Sequence, residues 1–368
     1  MASPLLPSRQ ALLHTGETLA IAAAGGSALA LLGFPAGLVI GGLLAVAAAA
    51  LAGRPMTVPA PLSRVISVLV GISLGAAVTP ETLKGLAAFP LSVAVLVVAT
   101  LCMMGATTAY LRFAHGWDRQ SALLGASPGG LAQVMALSAE YRADVRAIAI
   151  VQTLRVVLLT IGIPAGLAWF GLTAGGSFLP VLGGGGPAAP LELAVLVAVS
   201  TASAVIVWWL RLPGGLLFGA MLGSGVLHGT GLIAGSLPPT VAVAAIIDIG
   251  AMTGSRFANT DLRTLWRFLG AAFGSFAVAM AIAALFVLLL TVGQVLPVAD
   301  LVVAFAPGAQ DTMMVLALAL QLDPVFVGAM HLSRYLLVSL LVPFLVHRAG
   351  PRPPSKDRPL GPRPTIQD

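Results

Sequence analysis

Two arginines stand inside long apolar runs of this chain, at the same place in each of two halves, and each follows a Pro-Gly pair. Pro128-Gly129, Met135, Asp144, Arg155 and Pro164 recur 179 positions later as Pro307-Gly308, Met314, Asp323, Arg334 and Pro343. Upstream, Gly71, Gly75, Leu83 and Phe89 recur at the same offset as Gly250, Gly254, Leu262 and Phe268. Pro35-Ala36-Gly37-Leu38 aligns with Pro213-Gly214-Gly215-Leu216 after a slip of one residue. A guanidinium within an apolar helix costs at least about 2.5–3.5 kcal/mol on membrane-insertion scales. A duplication that keeps this cost twice implies that the charge is used. Duplicated halves with interrupted apolar helices are a common build of secondary transporters.

The medium follows from composition. The chain is 58% hydrophobic and only 9% charged, with mean hydropathy +1.01, which implies an all-α polytopic membrane protein. The apolar runs are continuous, not alternating, which argues against a β-barrel. The net charge of +6 sits in loops and the tail, a pattern of cytoplasmic loops with no nucleic-acid partner. The first apolar run, Thr18 to Leu32, leads straight into further runs and reads as a span, not a cleaved leader. Cys102 is alone, so no intrachain disulfide framework is expected.

The runs divide the chain into a cytoplasmic N-terminal segment (1–17), a first transmembrane repeat (18–171), a Gly-rich linker (172–190), a second repeat (191–347) and a disordered cytoplasmic tail (348–368). The fifth run of each half is interrupted, by Ser127-Pro128-Gly129-Gly130 in one and Ala306-Pro307-Gly308-Ala309 in the other. Each piece is only about ten residues, too short for about 30 Å of hydrocarbon. The run is then either a broken spanning helix or a re-entrant hairpin. Positive charges choose between them. With both runs re-entrant, Arg54, Arg64, Arg112, Arg119, Arg142, Arg146, Arg211, Arg256, Arg263 and Arg267 share the side of both termini, and only Lys84 lies opposite. With both spanning, six of these cations move outside, against the positive-inside rule. The re-entrant arrangement gives five spans per half. An odd number inverts the second repeat, so the expected fold is two inverted-topology repeats, each of five spans plus one Pro-Gly-interrupted helix, in a bacterial inner membrane with both termini cytoplasmic.

Several groups could carry chemistry. Arg155 has Gln152 three residues earlier and Arg334 has His331, each on the same helical face. These faces either line a polar site or cap carbonyls freed at the breaks. A half-helix starting after Pro128 or Pro307 presents free N–H groups and a positive dipole end, suited to an anion; otherwise the break is a kink relieved by packing. Ser127, Gly129, Gly130 and Gly308 would supply the surroundings of such a site. Asp311 follows the second break and Asp248 lies in Ile246-Ile247-Asp248-Ile249. Each is a candidate for coupling to H⁺ or Na⁺, although Asp311 could cap its half-helix or pair with Arg334, and Asp248 could pair with an arginine or sit near an interface. Gln133, Gln310 and Thr312 are weaker candidates for touching an ion or solute. Gly71-x-x-x-Gly75, Gly219-x-x-x-Gly223 and Gly250-x-x-x-Gly254 permit close helix approach within the fold, with homodimerisation as the second reading. His14, His115, His228, His331 and His347 are scattered without metal-ligand spacing. There is no Walker A segment, and Ser127 and Ser333 have no neighbouring base signature.

Gly125-Ala126-Ser127-Pro128-Gly129-Gly130-Leu131-Ala132-Gln133-Val134-Met135, with Ala143-Asp144-Val145-Arg146 and Leu154-Arg155-Val156, resembles the AbrB-type membrane protein family. This is not the small DNA-binding regulator of similar name. The resemblance covers nearly the whole chain and both copies. It implies a duplicated module with a Pro-Gly-Gly segment before an arginine-bearing helix. It also implies a fold similar to cation/proton antiporters and bile-acid/sodium symporters. Members often have Glu in a Pro-Gly-Gly-Leu-x-Glu-Met pattern where this chain has Gln133, and the second copy has Ala309 in place of the second glycine, which shifts any carboxylate-dependent role towards Asp311. The family has carried an ammonia monooxygenase label and one member is named as a regulator of gene expression. The residues favour a secondary active transporter of a small organic anion coupled to H⁺ or Na⁺, with no resident cofactor or metal. The alternatives are a regulatory membrane protein and, last, a membrane monooxygenase, which no histidine cluster supports.

Overall fold

The computed structural model describes residues 9–78, 89–128, 131–141, 143–172, 186–211, 214–258, 260–293 and 296–348. Its helices in the first half are α1 (Arg9–Leu31), α2 (Gly37–Leu51), α3 (Ala60–Gly75), α4 (Phe89–His115), α5 (Arg119–Ala126), α6 (Leu131–Glu140) and α7 (Val145–Trp169). Those of the second are α8 (Pro190–Trp209), α9 (Gly215–Gly229), α10 (Pro239–Gly254), α11 (Leu262–Gly293), α12 (Val298–Phe305), α13 (Gln310–Ala319) and α14 (Pro324–Arg348), with a 3₁₀ turn, Ser255–Phe257, after α10. There is no sheet among the described residues, only an isolated bridge between Pro187 and Ser236.

Among the described residues six helices, α4, α7, α8, α10 with its 3₁₀ extension, α11 and α14, are long and apolar enough to cross a membrane. The chain is a multi-pass α-helical membrane protein. Helices α2, α3 and α9 are equally apolar but only 15 or 16 residues long. Two helices start earlier than the apolar runs suggest: α1 at Arg9 and α11 at Leu262. Their first turns carry polar residues that favour helix without favouring lipid. Residues 1–8, the centre of the Gly-rich linker (173–185), Lys84, Arg142 and the tail beyond Arg348 lie outside the described residues.

The helices of the second half follow those of the first in the same order, and their interior contacts recur with the halves exchanged. A Cβ on Gly71 of α3 would come within 2.3 Å of the Leu217 carbonyl oxygen in α9. A Cβ on Gly250 of α10 would come within 2.4 Å of the Val39 oxygen in α2. One turn on, Gly75 meets the Met221 oxygen and Gly254 meets the Leu43 oxygen, both at 2.6 Å. Only a hydrogen at these positions lets the backbones touch, so the glycine pairs are used inside the fold. Gly219 and Gly223 are likewise pressed against Ala204 and Ser200 of α8. The one-residue slip in the repeat has a structural counterpart: Ala36 and Gly214 are the left-handed residues that precede α2 and α9, at φ 53° and 60°.

Packing sorts the helices into two bundles. Helices α1–α3 join α8–α10, with α2 on α10 and α3 on α9. Helices α4–α7 join α11–α14, with α4 on α11, α7 on α11 and α4 on α14. The seam between the bundles is apolar, with Met221 and Ile246 of one in the same core cluster as Val151 and Met314 of the other.

Candidate functional site

Pro128 and Pro307 interrupt the fifth run of each half, and hydrogen bonds give the direction of the pieces. The Asp144 N–H, at the start of α7, donates to Ser121 Oγ near the start of α5 at 3.0 Å. Further along, Gln152 Nε2 donates to the Leu124 carbonyl at 2.8 Å. Arg155 then donates through Nη1 to the Gly125 and Ala126 carbonyls, both at 3.4 Å, and through Nη2 to Ser127 O at 3.1 Å. Helices α5 and α7 therefore start at one level and run side by side. Helix α6, between them, must run back, so α5 and α6 form a hairpin that returns to the level it left. Their 8 and 10 residues give each arm only about 12–15 Å.

The same pattern recurs 179 residues later, except that the second arginine reaches one carbonyl where the first reaches three. The Asp323 N–H donates to Asp300 Oδ1 at 2.7 Å. His331 Nε2 donates to the Val303 carbonyl at 3.0 Å, and Arg334 Nη1 to the Phe305 carbonyl at 3.4 Å. The Arg334 Nη2 group bonds His331 Nδ1. A guanidinium only donates, so Nδ1 accepts and Nε2 holds the proton: His331 is a neutral imidazole. Asp144 and Asp323, conspicuous in the repeat, cap the first turns of α7 and α14, accepting from the backbone N–H groups of Ala147 and of Val325 and Phe326. The two arginines thus satisfy carbonyls at the C-termini of α5 and α12, the groups that a helix break leaves orphaned.

Capping does not use the guanidiniums up. Both arginines also line a cavity of about 270 Å³ in which the tips of the two hairpins meet. The first hairpin contributes Pro128 and Leu131, and the second Gly308, Ala309, Gln310 and Asp311. Helix α7 adds Gln152, Arg155 and Val156, and α14 adds His331, Arg334 and Tyr335. The other bundle supplies two residues across the seam, Gly214 and Arg256. The cavity joins a wider vestibule of about 710 Å³, walled by Ser67, Trp208, Trp209, Arg211 and Leu217, and Gly214, Asp311 and Tyr335 belong to both.

The unpartnered groups here share one character. Buried Arg155 Nε and Gln310 Nε2 have no hydrogen-bond partner, and both are donors. The first turn of α13 points N–H groups at the cavity with no side-chain cap at Ala309. Three guanidiniums face one carboxylate, that of Asp311. Arg155 and Arg334 are within Coulombic reach of each other, as are Arg256 and Asp311. Arg256 is only half-buried by area, because its side chain is open to the cavity. An arrangement of donors around excess positive charge suits a molecule that brings acceptors and negative charge.

The candidate residues from the sequence divide by register. Arg155, Arg334, Gln152, His331, Gly308, Gln310 and Asp311 come together at the cavity. Ser127 contributes its carbonyl to Arg155, while its hydroxyl bonds back to Leu123 O at 2.7 Å. Gln133 is elsewhere: it exchanges bonds with Ser339 of α14, Nε2 donating to the carbonyl at 3.2 Å and Oε1 accepting from the hydroxyl at 2.8 Å. Thr312 is buried but away from the cavity wall. Asp248 is half-buried on α10 and lines neither cavity. Gly129 and Gly130 lie outside the described residues. Sequence reading missed Arg256, which stood among the loop cations, and Tyr335. Among the described residues no three His, Cys, Asp or Glu side chains converge on one point.

The family model described as "Transition state regulatory protein AbrB" matches residues 38–350 of this chain. The YhjN protein of Bacillus subtilis (strain 168) is 26% identical over 360 residues, covering 88% of this chain and 90% of that protein. A protein of Escherichia coli (strain K12) named as a regulator, AbrB, is 25% identical over 325 residues, covering 84% and 88%. No solved structure matches the chain.

Proposed function

The chain belongs to the AbrB family, and from that footing we propose that it is a secondary active transporter of a small organic anion. The observation that carries this reading is the cavity at the seam: three arginines and the unpartnered Arg155 Nε and Gln310 Nε2 surround the point where two hairpin tips meet, between two separately packed bundles. At about 30 Å³ for each water-sized group, its volume accommodates a solute of roughly nine non-hydrogen atoms. Small carboxylates, sulfonates and phosphonates fall in that range. Only two lining residues, Gly214 and Arg256, come from the α1–α3/α8–α10 bundle. Movement of one bundle past the other would therefore change the cavity's access while leaving most of its ligands in place.

The same reading carries the topology. Hairpins that return to the side they left give five crossings per half. The second half then runs inverted to the first, the two tips enter from opposite faces, and both termini share the cytoplasmic side of a bacterial inner membrane. The cation distribution supports this orientation. Arg155 lies about 16 Å along α7 from Asp144, roughly half of a 30 Å bilayer core, which suits a midplane site.

A regulatory role, the word attached to the Escherichia coli relative, could also begin with an anion in this cavity. It differs in needing access from one face only. Purified protein reconstituted in vesicles should accumulate at least one solute from a mixed panel of small carboxylates, sulfonates and phosphonates when an inward H⁺ or Na⁺ gradient is imposed, and should not accumulate amine cations of equal size. Empty-vesicle rates for the whole panel under both gradients would refute transport.

A further inference from the structure

The neck between vestibule and cavity carries an oddity. A carboxylate stands at the boundary of a site rich in donors: Asp311, with Gly214 and Tyr335, lines both spaces. Its opposite number is Arg256, across the seam. The two attract each other, yet they form no ion pair within 4 Å, and neither has a hydrogen-bond partner among the described residues. The fold has not locked this pair together as it has locked Arg155 onto the α5 carbonyls. The groups that face Asp311 from the surrounding elements are Arg256 after α10, Arg155 on α7, Arg334 and Tyr335 on α14, and Arg211 before α9. His331 is committed to Val303 and Arg334 as a neutral ring.

We propose that Asp311 is the built-in counter-ion of Arg256, that an incoming anion replaces it there, and that Asp311 takes up one proton from solvent as it does so. The proposal rests on the transport reading and specifies its coupling ion: the solute travels with H⁺, not Na⁺. Two anions side by side in so small a space repel each other strongly. A proton on Asp311 removes that repulsion, and release of the solute returns the carboxylate to Arg256 and the proton to the new side. A hard cation such as Na⁺ requires a shell of oxygen ligands. Here four of the five groups named as facing the carboxylate are guanidiniums, which repel a cation. Asp311 has no counterpart in the first half, where Ala132 stands at the equivalent position.

Formate is a suitable probe, because it stands in both for a carboxylate solute and for the side chain of Asp311. Its binding to the full chain in detergent is measured by thermal shift against a gluconate background, from about pH 5 to about pH 8, where formate itself stays ionised. If a proton accompanies the anion, its apparent affinity falls with rising pH, by up to about tenfold per unit. Asp311→Asn carries no exchangeable charge and should bind formate with affinity that is flat in pH and, near pH 8, tighter than wild type. Adding Na⁺ should change neither profile. A pH-independent wild type, or an Asp311→Asn profile as steep as wild type, overturns the proposal. Should that variant not fold, the wild-type profile alone decides. The measurement needs no vesicle, so transport can fail in liposomes while the coupled binding stands, or the reverse.

Discussion

Arg155→Leu should weaken the fold as well as the ligand site. The three carbonyls of Gly125, Ala126 and Ser127 all accept from this one guanidinium, at a helix end where water cannot replace it. A buried acceptor stripped of its donor costs about 1–3 kcal/mol, so the combined cost is about 3 kcal/mol or more. At about 2.1 cal/mol/K of unfolding entropy per residue, that lowers the melting midpoint of this 368-residue chain by about 4 °C or more and broadens the size-exclusion peak in detergent. Arg155→Lys should fall between, since an ammonium cannot fork across three carbonyls. A leucine variant that melts with wild type would show that the α5 terminus is capped by something else, and would return Arg155 to a purely ligand-binding role.

Arg256→Gln should do the opposite. Its guanidinium holds no backbone, so the midpoint should stay within about 2 °C of wild type. The anion, however, loses the one cation that reaches it from the other bundle. Removing one partner of a desolvated charge pair costs about 2–5 kcal/mol, which is a loss of at least about 30-fold in formate affinity. The pair of variants separates two jobs that the sequence presents as one. Arg155 and Arg334 hold the hairpins and colour the cavity with charge, and Arg256 is free to bind. Unchanged formate affinity in a well-folded Arg256→Gln would remove this residue from the site and with it the role given to Asp311.

The contrast explains what was legible in the sequence. The breaks could be read because proline and glycine have few uses inside an apolar run, and because the 179-residue offset marked both copies. The capping and the ligand-binding readings of Arg155 and Arg334 stood open side by side, and the geometry leaves room for both: Arg155 spends its two Nη groups on carbonyls and leaves Nε without a partner, Arg334 spends its own on the Phe305 carbonyl and His331, and both side chains line the cavity. Arg256 could not be found in this way. Its counterpart is Ala77, so the repeat gives no hint, and Ser255-Arg256-Phe257-Ala258 reads as an ordinary loop. It reaches the cavity only because α10 is short and ends in a 3₁₀ turn at the seam. Gln133 illustrates the converse. Its amide made it a candidate, but the third position of α6 faces α14 and Ser339, as the third position of α13 turns Thr312 inward. The first position of each helix, Leu131 and Gln310, lines the cavity, and in α13 so does the second, Asp311. Chemistry suggested the residue type; only the register of a ten-residue helix on its hairpin selects which copy is used.

The central claim is that the cavity between the bundles opens in turn to both faces of the membrane. It is tested most directly by a single cysteine at Ala309, on the second hairpin tip, in a background where the exposed Cys102 is replaced by serine. A membrane-impermeant thiol reagent is applied to right-side-out and to inside-out vesicles. Alternating access predicts that Ala309→Cys is labelled from either face, and more slowly in formate than in gluconate. Labelling from one face only, unaffected by formate, would contradict it and leave a one-sided receptor as the better description.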